Sequence, residues 1–217
     1  MRDTKTPRSP VPETPADREI RAANKRKILK AASEVFAAKG FDGARIAEIA
    51  TVAELPKANV YYYYATKEEL YSATFAPLLE EWDSALQILQ ADTEPAVALR
   101  AYVQAKLKLG RKNPLEARLF ANEVVRGGAF LSAADREHIA KSTAASIEVF
   151  EAWMAAKKIR KIDPRHFLFM LWAATQFYAD YEPIVNAVLQ VKKLTAAHYD
   201  QALESIVSTV LGGVLLD

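Results

Sequence analysis

One stretch of the chain decides the fold: residues 28–71, ILKAASEVFAAKGFDGARIAEIATVAELPKANVYYYYATKEELY. Apolar side chains recur in it at intervals of three and four residues, which predicts helices. Breaks at Gly40 and at 54–56 divide the stretch. They leave one helix that starts upstream and two short helices, over 46–53 and 57–63.

The two short helices fit a helix-turn-helix. Ile49 and Val60 face inward when two such helices cross at a steep angle. The outer face of the second helix then carries Lys57, Ala58, Asn59, Tyr61, Tyr62 and Tyr63. Phenol hydroxyls and lysine ammonium groups can donate to DNA phosphates. The alternative is an aromatic core cluster, in which each tyrosine hydroxyl would need a buried partner.

Lysine and arginine are concentrated at the N-terminal end of the chain. Residues 1–67 contain 13 Lys and Arg against 8 Asp and Glu, a net charge of +5. Residues 68–217 contain 16 against 19, a net charge of −3. A basic N-terminal part predicts a polyanionic partner, with a merely solubilising surface as the alternative.

The composition excludes several classes of protein. None of the 217 residues is cysteine, and the 7 glycines form no phosphate-binding loop. His138, His166 and His198 lie on three separate predicted helices, and no G-x-S-x-G occurs. We therefore predict a protein that is not an enzyme and has no cofactor or metal. No apolar run reaches the roughly 18 residues of a membrane span, so we expect a cytoplasmic protein without a membrane partner.

Helices are predicted throughout the rest of the chain. The proline-rich residues 1–16 predict a disordered tail, and Asp17 is expected to cap the first helix. Thr66 and Glu69 form a capping-box pattern that opens a long helix to about residue 89, kinked at Pro77. The further predicted helices cover 95–111, 115–126, 132–158, 165–181 and a last segment from 195. The fold class is therefore all-α.

Four elements at fixed offsets within residues 28–71 resemble the N-terminal domain of TetR-family regulators. They are F-x-x-x-G-F (Phe36–Phe41), I-A-x-x-A (Ile49–Ala53), the run Val60–Tyr64 and K-E-x-L (Lys67–Leu70). The resemblance implies a three-helix helix-turn-helix DNA-binding domain over 17–65. It also implies a helical ligand-binding and dimerisation domain over 66–217, with a four-helix-bundle dimer interface.

The resemblance also implies roles for single residues. It makes 57–63 the recognition helix in the major groove of a double-stranded operator. Base-edge or groove contacts are expected of Lys57, Ala58, Asn59 and Tyr61, and backbone contacts of Tyr62, Tyr63 and Lys67. Two positions depart from the family pattern. Glu54 stands where a turn glycine is usual, and Ala44 or Arg45 stands where a threonine usually caps the second helix and contacts phosphate; Arg45 is expected to replace that contact.

The predicted helix over 165–181 is apolar almost all round. Such a helix is sandwiched, with one face available to a dimeric four-helix bundle and the other to the interior. Trp172 and Gln176 lie one turn apart on the same face. A planar ligand with an amide edge could stack on Trp172 and pair with Gln176. The alternative is a core tryptophan and an inter-helix hydrogen bond from Gln176.

Segments of the C-terminal half are similar to the RutR-type branch of the family, the regulators of pyrimidine utilisation. They are EEW (80–82), RLFANEV (118–124) and KIDPRHFLFMLWAATQFYADYEP (161–183). The resemblance implies a pyrimidine base, such as uracil or thymine, as effector. The implied pocket residues are Trp82, Phe120, Asn122, Glu123, Trp172, Gln176 and Tyr178.

The sequence thus predicts a homodimeric repressor that a small effector releases from its operator. Two alternatives stay open at this point. One is a TetR-like regulator that responds to an aromatic or lipophilic compound. The other is a helical ligand-binding adaptor that does not bind DNA.

Overall fold

The computed structural model describes residues 14–216, and the chain within them is helical, as predicted. The helices are α1 Pro15–Gly43, α2 Ile46–Val52, α3 Lys57–Tyr63, α4 Lys67–Ala73, α5 Ala76–Leu86, α6 Pro95–Lys112, α7 Pro114–Val125, α8 Ala133–Ala155, α9 Pro164–Asp180, α10 Glu182–Val188 and α11 Ala196–Val214. The described residues contain no strand, only an isolated antiparallel bridge between Ile159 and Leu215. We call α1–α4 the head and α5–α11 the body.

The first helix begins three residues earlier than expected. Thr14 is its N-cap: the Thr14 hydroxyl accepts from the Asp17 N–H at 3.2 Å, and the Asp17 carboxylate accepts from the Thr14 N–H at 3.1 Å. The prediction that Asp17 caps the helix is therefore wrong, because it is the partner residue of a capping box. Residues 1–13 of the predicted tail lie outside the described residues, and Pro15 and Ala16 are helical.

The head packs around one apolar cluster. Ile28, Phe36, Ile49 and Val60, from three helices, are almost fully buried in it. Tyr64 is also buried, so Val60 and Tyr64 point inward as the spacing predicts. The turn before α3 holds Glu54 at φ 55°, the conformation that makes glycine usual there and costs other residues on the order of 1 kcal/mol.

The predicted long helix kinked at Pro77 is in fact two helices, α4 and α5. The chain tightens at the joint, where the Phe75 N–H bonds to the Ser72 carbonyl at 3.1 Å, three residues back. Pro77 has no N–H to offer the Ala73 carbonyl, so the α-helical bonding cannot continue through it. The joint between head and body therefore lies at residues 74–75, just before the proline, and α5 ends at Leu86.

The body is built on α6, α9 and α11, whose facing side chains form its core. Tyr102, Leu168, Leu171 and Trp153 are almost completely buried there. Sequence reasoning missed α10, which follows α9 after a turn at Tyr181 and carries a proline in its first turn. The packing of α6, α9 and α11 against one another determines which faces of α6 and α9 point toward α5, α7 and α8.

Candidate recognition surface and effector cavity

The helix α3 presents aromatic and polar side chains on its outer surface. Tyr61 is 44% exposed and Tyr62 is 72% exposed, whereas Val60, the residue just before them, is fully buried. Lys57 and Ala58 are exposed, and Asn59 is partly buried. The Lys57 ammonium lies 5.5 Å from the Tyr61 ring centroid, one turn further along. The tyrosines therefore do not form one common core cluster.

The first helix extends this surface beyond α3. The Asn24 amide donates to the Tyr63 hydroxyl at 3.4 Å, and the Tyr62 and Tyr63 rings meet edge to face at 5.0 Å. The Arg21 guanidinium lies 5.9 Å from the Tyr62 centroid. Sequence reasoning missed Arg21; the signal was the run of basic residues in the first turns of α1.

Lys67 and Arg45 flank the recognition helix in different ways. The Lys67 ammonium lies 4.5 Å from the Phe41 centroid and donates to the Asp42 carbonyl at 3.4 Å, so its side chain has a defined position. Arg45 is the N-cap of α2 but makes no side-chain cap bond, and its side chain is exposed. Ala44, at the other departing position, is buried.

A central cavity of about 370 Å³ lies in the body between α5, α6, α7, α8 and α9. Its lining includes Leu79, Trp82, Asp83, Leu86, Tyr102, Lys106, Phe120, Val124, His138, Ile139, Trp172, Gln176 and Asp180. Most of these side chains are apolar or aromatic. Four of the seven predicted pocket residues are brought together here: Trp82, Phe120, Trp172 and Gln176.

The aromatic walls of the cavity are held by specific contacts. The Trp82 and Phe120 rings are perpendicular, with centroids 4.9 Å apart. The Trp172 indole N–H donates to the Tyr102 hydroxyl at 2.8 Å, which satisfies the polar atom of each ring. The flat faces around the cavity are therefore fixed before any ligand enters.

The amide of Gln176 faces a carboxylate on its own helix. Its NH₂ group donates to Asp180 at 3.0 Å, four residues on, so the bond is not the inter-helix bond considered as an alternative. Within residues 14–216 the Gln176 carbonyl oxygen has no hydrogen-bond partner, and it remains available to accept from a ligand. Burial raises the pKa of Asp180, an effect opposed by Gln176, Lys106 and Arg118.

Lys106 is the cavity residue that sequence reasoning missed. Its side chain is only 6% exposed, and the ammonium lies 4.1 Å from the Trp82 centroid. Burial lowers the pKa of Lys106 to about 7, against the opposing field of Asp180. The sequence could have indicated Lys106, because it is a charged residue one turn after Tyr102 on the apolar stripe of α6.

Three predicted pocket residues do not line the cavity. Asn122 is exposed, because the cavity side of α7 is the side of Phe120 and Val124. Glu123 is buried elsewhere and accepts from the Phe130 N–H at 2.9 Å. Tyr178 is turned away from Trp172 on α9 and packs near Tyr199, with ring centroids 6.2 Å apart. These three residues therefore lie outside this cavity.

Aromatic rings connect the cavity to the head. Phe120 lies 5.9 Å from Phe75, Phe75 lies 4.9 Å from Tyr71, and Tyr71 lies 5.1 Å from Phe41, between ring centroids. Phe130, from the loop after α7, packs against Phe41 at 4.3 Å. We call these five rings the aromatic bridge; it spans the joint between α4 and α5.

Glu123 and Ser72 hold the loop of Phe130 between α7 and α4. The Glu123 carboxylate accepts from the Phe130 N–H, and burial together with the charge of this carboxylate raises the pKa of Tyr71 to about 12. The Ser72 hydroxyl donates to the Phe130 carbonyl at 2.7 Å. Glu123 therefore has a structural part in the head–body contact.

A helix-turn-helix head joined to a helical body that contains a cavity defines a class of transcriptional regulator. The family described as bacterial regulatory proteins, tetR family, matches residues 28–74. The family described as YcdC-like protein, C-terminal region, matches residues 75–217. The chain belongs to the TetR family. It is therefore a transcriptional regulator and not an enzyme.

Individual relatives agree with this assignment. The HTH-type transcriptional regulator RutR of Escherichia coli (strain K12) is 33% identical over 196 residues, covering 89% of this chain and 91% of the relative. The HTH-type transcriptional repressor NicS of Pseudomonas putida is 38% identical over 77 residues, 35% of this chain and 36% of that protein. The chain is a RutR-like member of the family.

Solved structures share the fold. The ketosteroid transcriptional regulator KstR2 of Mycobacterium tuberculosis has a TM-score of 0.70 at 14% identity, covering 89% of this chain and 95% of its own. A TetR family regulator from Marinobacter aquaeolei VT8 has a TM-score of 0.68 at 19% identity, covering 92% and 100%. Among residues 14–216, none of the helices has the length and hydropathy that a membrane span needs.

Proposed function

We propose that the protein is a homodimeric repressor that binds a double-stranded DNA operator through α3 and is released by a pyrimidine base such as uracil or thymine. The observation that carries the proposal is the central cavity, which Gln176 lines together with the rings of Trp82, Phe120 and Trp172. A planar ring can stack on such walls, and a ring N–H can donate to Gln176. The resemblance to the pyrimidine-utilisation branch implies the same class of effector.

The exposed residues of the head support the DNA-binding part of the proposal. Tyrosine hydroxyls, Lys57 and the partly buried Lys67 provide donors around α3 for phosphates, while Asn59 can read a base edge. Arg45 is exposed at the start of α2 and can supply a further phosphate contact. Two such heads would bind half-sites about one helical turn apart or a multiple of it.

The outer face of α9 supports the dimer. Phe169, Met170 and Phe177 are about half exposed in the single chain, although they belong to one of the most apolar helices. A neighbouring groove between α9, α10 and α11 has an apolar lining that includes Ile184 and Val188. Packing of α9 and α11 against a second copy would form a four-helix bundle and cover these side chains.

The aromatic bridge offers a physical route from effector to DNA. A ring held between Trp82 and Trp172 contacts the same wall as Phe120, and Phe120 packs onto Phe75 at the head–body joint. The effector shifts the population only if it binds the released arrangement better than the DNA-bound one, by a few kcal/mol for effective release.

Binding to the DNA upstream of the protein's own gene tests the proposal. We expect retardation of that DNA at low salt, and its reversal by uracil or thymine but not by adenine at the same concentration. Retardation that no pyrimidine reverses would overturn the effector. An absence of retardation at low salt would favour a ligand-binding adaptor that does not bind DNA.

A second candidate effector is an aromatic or lipophilic compound larger than one ring. The cavity volume of about 370 Å³ lies within the range of roughly 300–1,000 Å³ found for drug-sized ligands, and its lining is mostly apolar. A thermal-shift comparison of nucleobases with hydrophobic amines separates the two candidates. Stabilisation by the amines alone would favour the second.

A further inference from the structure

A second cavity, of about 330 Å³, lies in the body between the C-terminal ends of α6 and α9 and the first turn of α11. Its lining includes two tyrosines, two cations, one carboxylate and a buried leucine: Tyr178, Tyr199, Arg111, Lys193, Glu182 and Leu194. No residue of this lining belongs to the central cavity. The proposed pyrimidine site therefore does not account for this space.

The two cations of the second cavity have no carboxylate partner. Among residues 14–216, neither Arg111 nor Lys193 forms an ion pair. Arg111 lies in the last turn of α6, and its guanidinium is 5.8 Å from the centroid of the Tyr199 ring. Lys193 belongs to the segment between α10 and α11. Two positive charges that line one small space repel each other, and an anion bound in that space offsets the repulsion.

The carboxylate in the lining is already paired. Glu182 accepts from the Arg118 guanidinium at 3.3 Å, and Arg118 is not part of the lining. Glu182 therefore leaves both lining cations available to a ligand, while its own charge opposes a second negative charge in the cavity. The three charged lining residues sum to 2 − 1 = +1, which favours a ligand with a single negative charge.

The two tyrosines give the cavity flat walls and hydrogen-bond donors. The Tyr178 and Tyr199 rings are inclined by 48°, with centroids 6.2 Å apart. Within residues 14–216 neither tyrosine hydroxyl has a hydrogen-bond partner. Burial raises the pKa of Tyr199, and Glu182 adds to this effect while Arg111 opposes it, so the hydroxyl stays protonated at neutral pH. Rings of this kind pack well against another ring.

We infer that the second cavity is a binding site for a small aromatic carboxylate, separate from the pyrimidine site. The carboxylate accepts from the Arg111 guanidinium, whose planar fork matches it, and from the Lys193 ammonium. The ring of the ligand packs against Tyr178, Tyr199 and Leu194. The inference does not depend on which effector occupies the central cavity.

Tyr178 connects this site to the surface proposed for the dimer. The same residue lines the apolar groove between α9, α10 and α11. A ligand packed against Tyr178 therefore contacts a side chain that the second cavity shares with that groove. Occupancy of the second cavity can reach the dimer face without passing through the central cavity.

Calorimetry on the full-length protein at low salt tests the inference with benzoate and benzamide as probes. We expect benzoate to bind at least about tenfold more tightly than benzamide, which has the same ring but no charge. Arg111→Gln and Lys193→Gln should each lower benzoate affinity about tenfold, because a hydrogen bond between charged groups is lost. The control is Lys192→Gln, which removes the same charge from an exposed lysine outside the lining and should match the wild type.

The central cavity provides the contrast that locates the binding. Benzoate affinity that falls in Gln176→Leu but not in Arg111→Gln or Lys193→Gln would place benzoate in the central cavity and overturn the second site. Equal affinities for benzoate and benzamide, or no binding of benzoate by the wild type, would also overturn it. Inorganic phosphate that binds more tightly than benzoate would exclude the aromatic carboxylate as the class of ligand.

The wild type decides if a variant does not fold, which circular dichroism detects. Benzoate affinity that exceeds that of benzamide and stays the same in saturating uracil supports a separate site. Competition between benzoate and uracil overturns it.

Discussion

The outer face of α3 and the inner faces of α6 and α9 place their polar side chains in opposite ways. On α3 the candidate DNA contacts point away from a closed apolar core, and Tyr62 remains largely exposed. On α6 and α9, Lys106 and Gln176 point into a cavity from within the body. A polar group in water has solvent to bond, but a buried one depends on neighbours from other parts of the chain.

This contrast has a counterpart in packing. The head core is filled by interlocking rings, with Phe36 edge to face against Tyr71 at 4.8 Å. The body has an unfilled volume in its centre. The head therefore depends on shape complementarity, whereas the body contains a cavity that its own side chains leave unfilled.

The largest expected effect comes from creating a cavity in the apolar core of the head. Phe36→Ala removes a ring that is 1% exposed, which costs about 3–5 kcal/mol. Because the body has its own core, we expect operator binding to be lost while uracil binding persists. Circular dichroism melting and calorimetry with uracil measure the two effects. Ile20→Ala on the same helix, at a side chain 60% exposed, should change stability by less than about 0.5 kcal/mol. Loss of uracil binding together with head unfolding would show that head and body are one cooperative unit.

The next effect removes the polar contact of the cavity. Gln176→Leu keeps the apolar packing but deletes the acceptor, and it leaves Asp180 without its donor. We expect uracil affinity to fall by about 100-fold. Operator binding without effector should be unchanged. Calorimetry and DNA retardation measure the two quantities, with Gln104→Leu on the exposed side of α6 as the control. Equal uracil affinity in mutant and wild type would exclude Gln176 from the site.

The sequence predicted the head in more detail than the body. The bounds of α3 agree with the structure, because a break, an apolar pair at Val60 and Tyr64 and a cap at Thr66 are local signals. The joint at residues 74–75 was predicted as a kink within one helix. The hydrogen bond from the Phe75 N–H to the Ser72 carbonyl, which marks the joint, does not change the spacing of apolar residues from which helices are predicted.

The cavity shows why sites in the body resist prediction. Trp172 and Gln176 were identified because both lie on one helix, one turn apart. Glu123 and Tyr178 lie outside the cavity because they contact Phe130 and Tyr199, which come from other segments. Lys106 was overlooked because its position beside the cavity is defined by its contact with Trp82, a residue on another helix. Contacts between distant segments are not encoded in local spacing.

A smaller effect concerns the connection between the two regions. Phe120→Leu keeps an apolar side chain in the cavity wall but removes the ring that meets both Trp82 and Phe75. We expect saturating uracil to release operator less completely, because part of a coupling free energy of typically about 1–3 kcal/mol is lost. Operator affinity with and without saturating uracil gives the coupling. Coupling equal to that of the wild type would show that effector binding reaches the head by another route.

The smallest effect belongs to a single phosphate contact on the head. Lys67→Ala removes one cation beside α3, so the logarithm of operator affinity should depend less steeply on salt, by about one unit of slope, for every DNA sequence. Lys108→Ala in the body removes the same charge far from α3 and should leave the slope unchanged. Lys67 also rests on the Phe41 ring, so helix content must be compared between mutant and wild type. A slope that stays the same in a folded Lys67→Ala would mean that this lysine supports the head through Phe41 and Asp42 rather than through DNA.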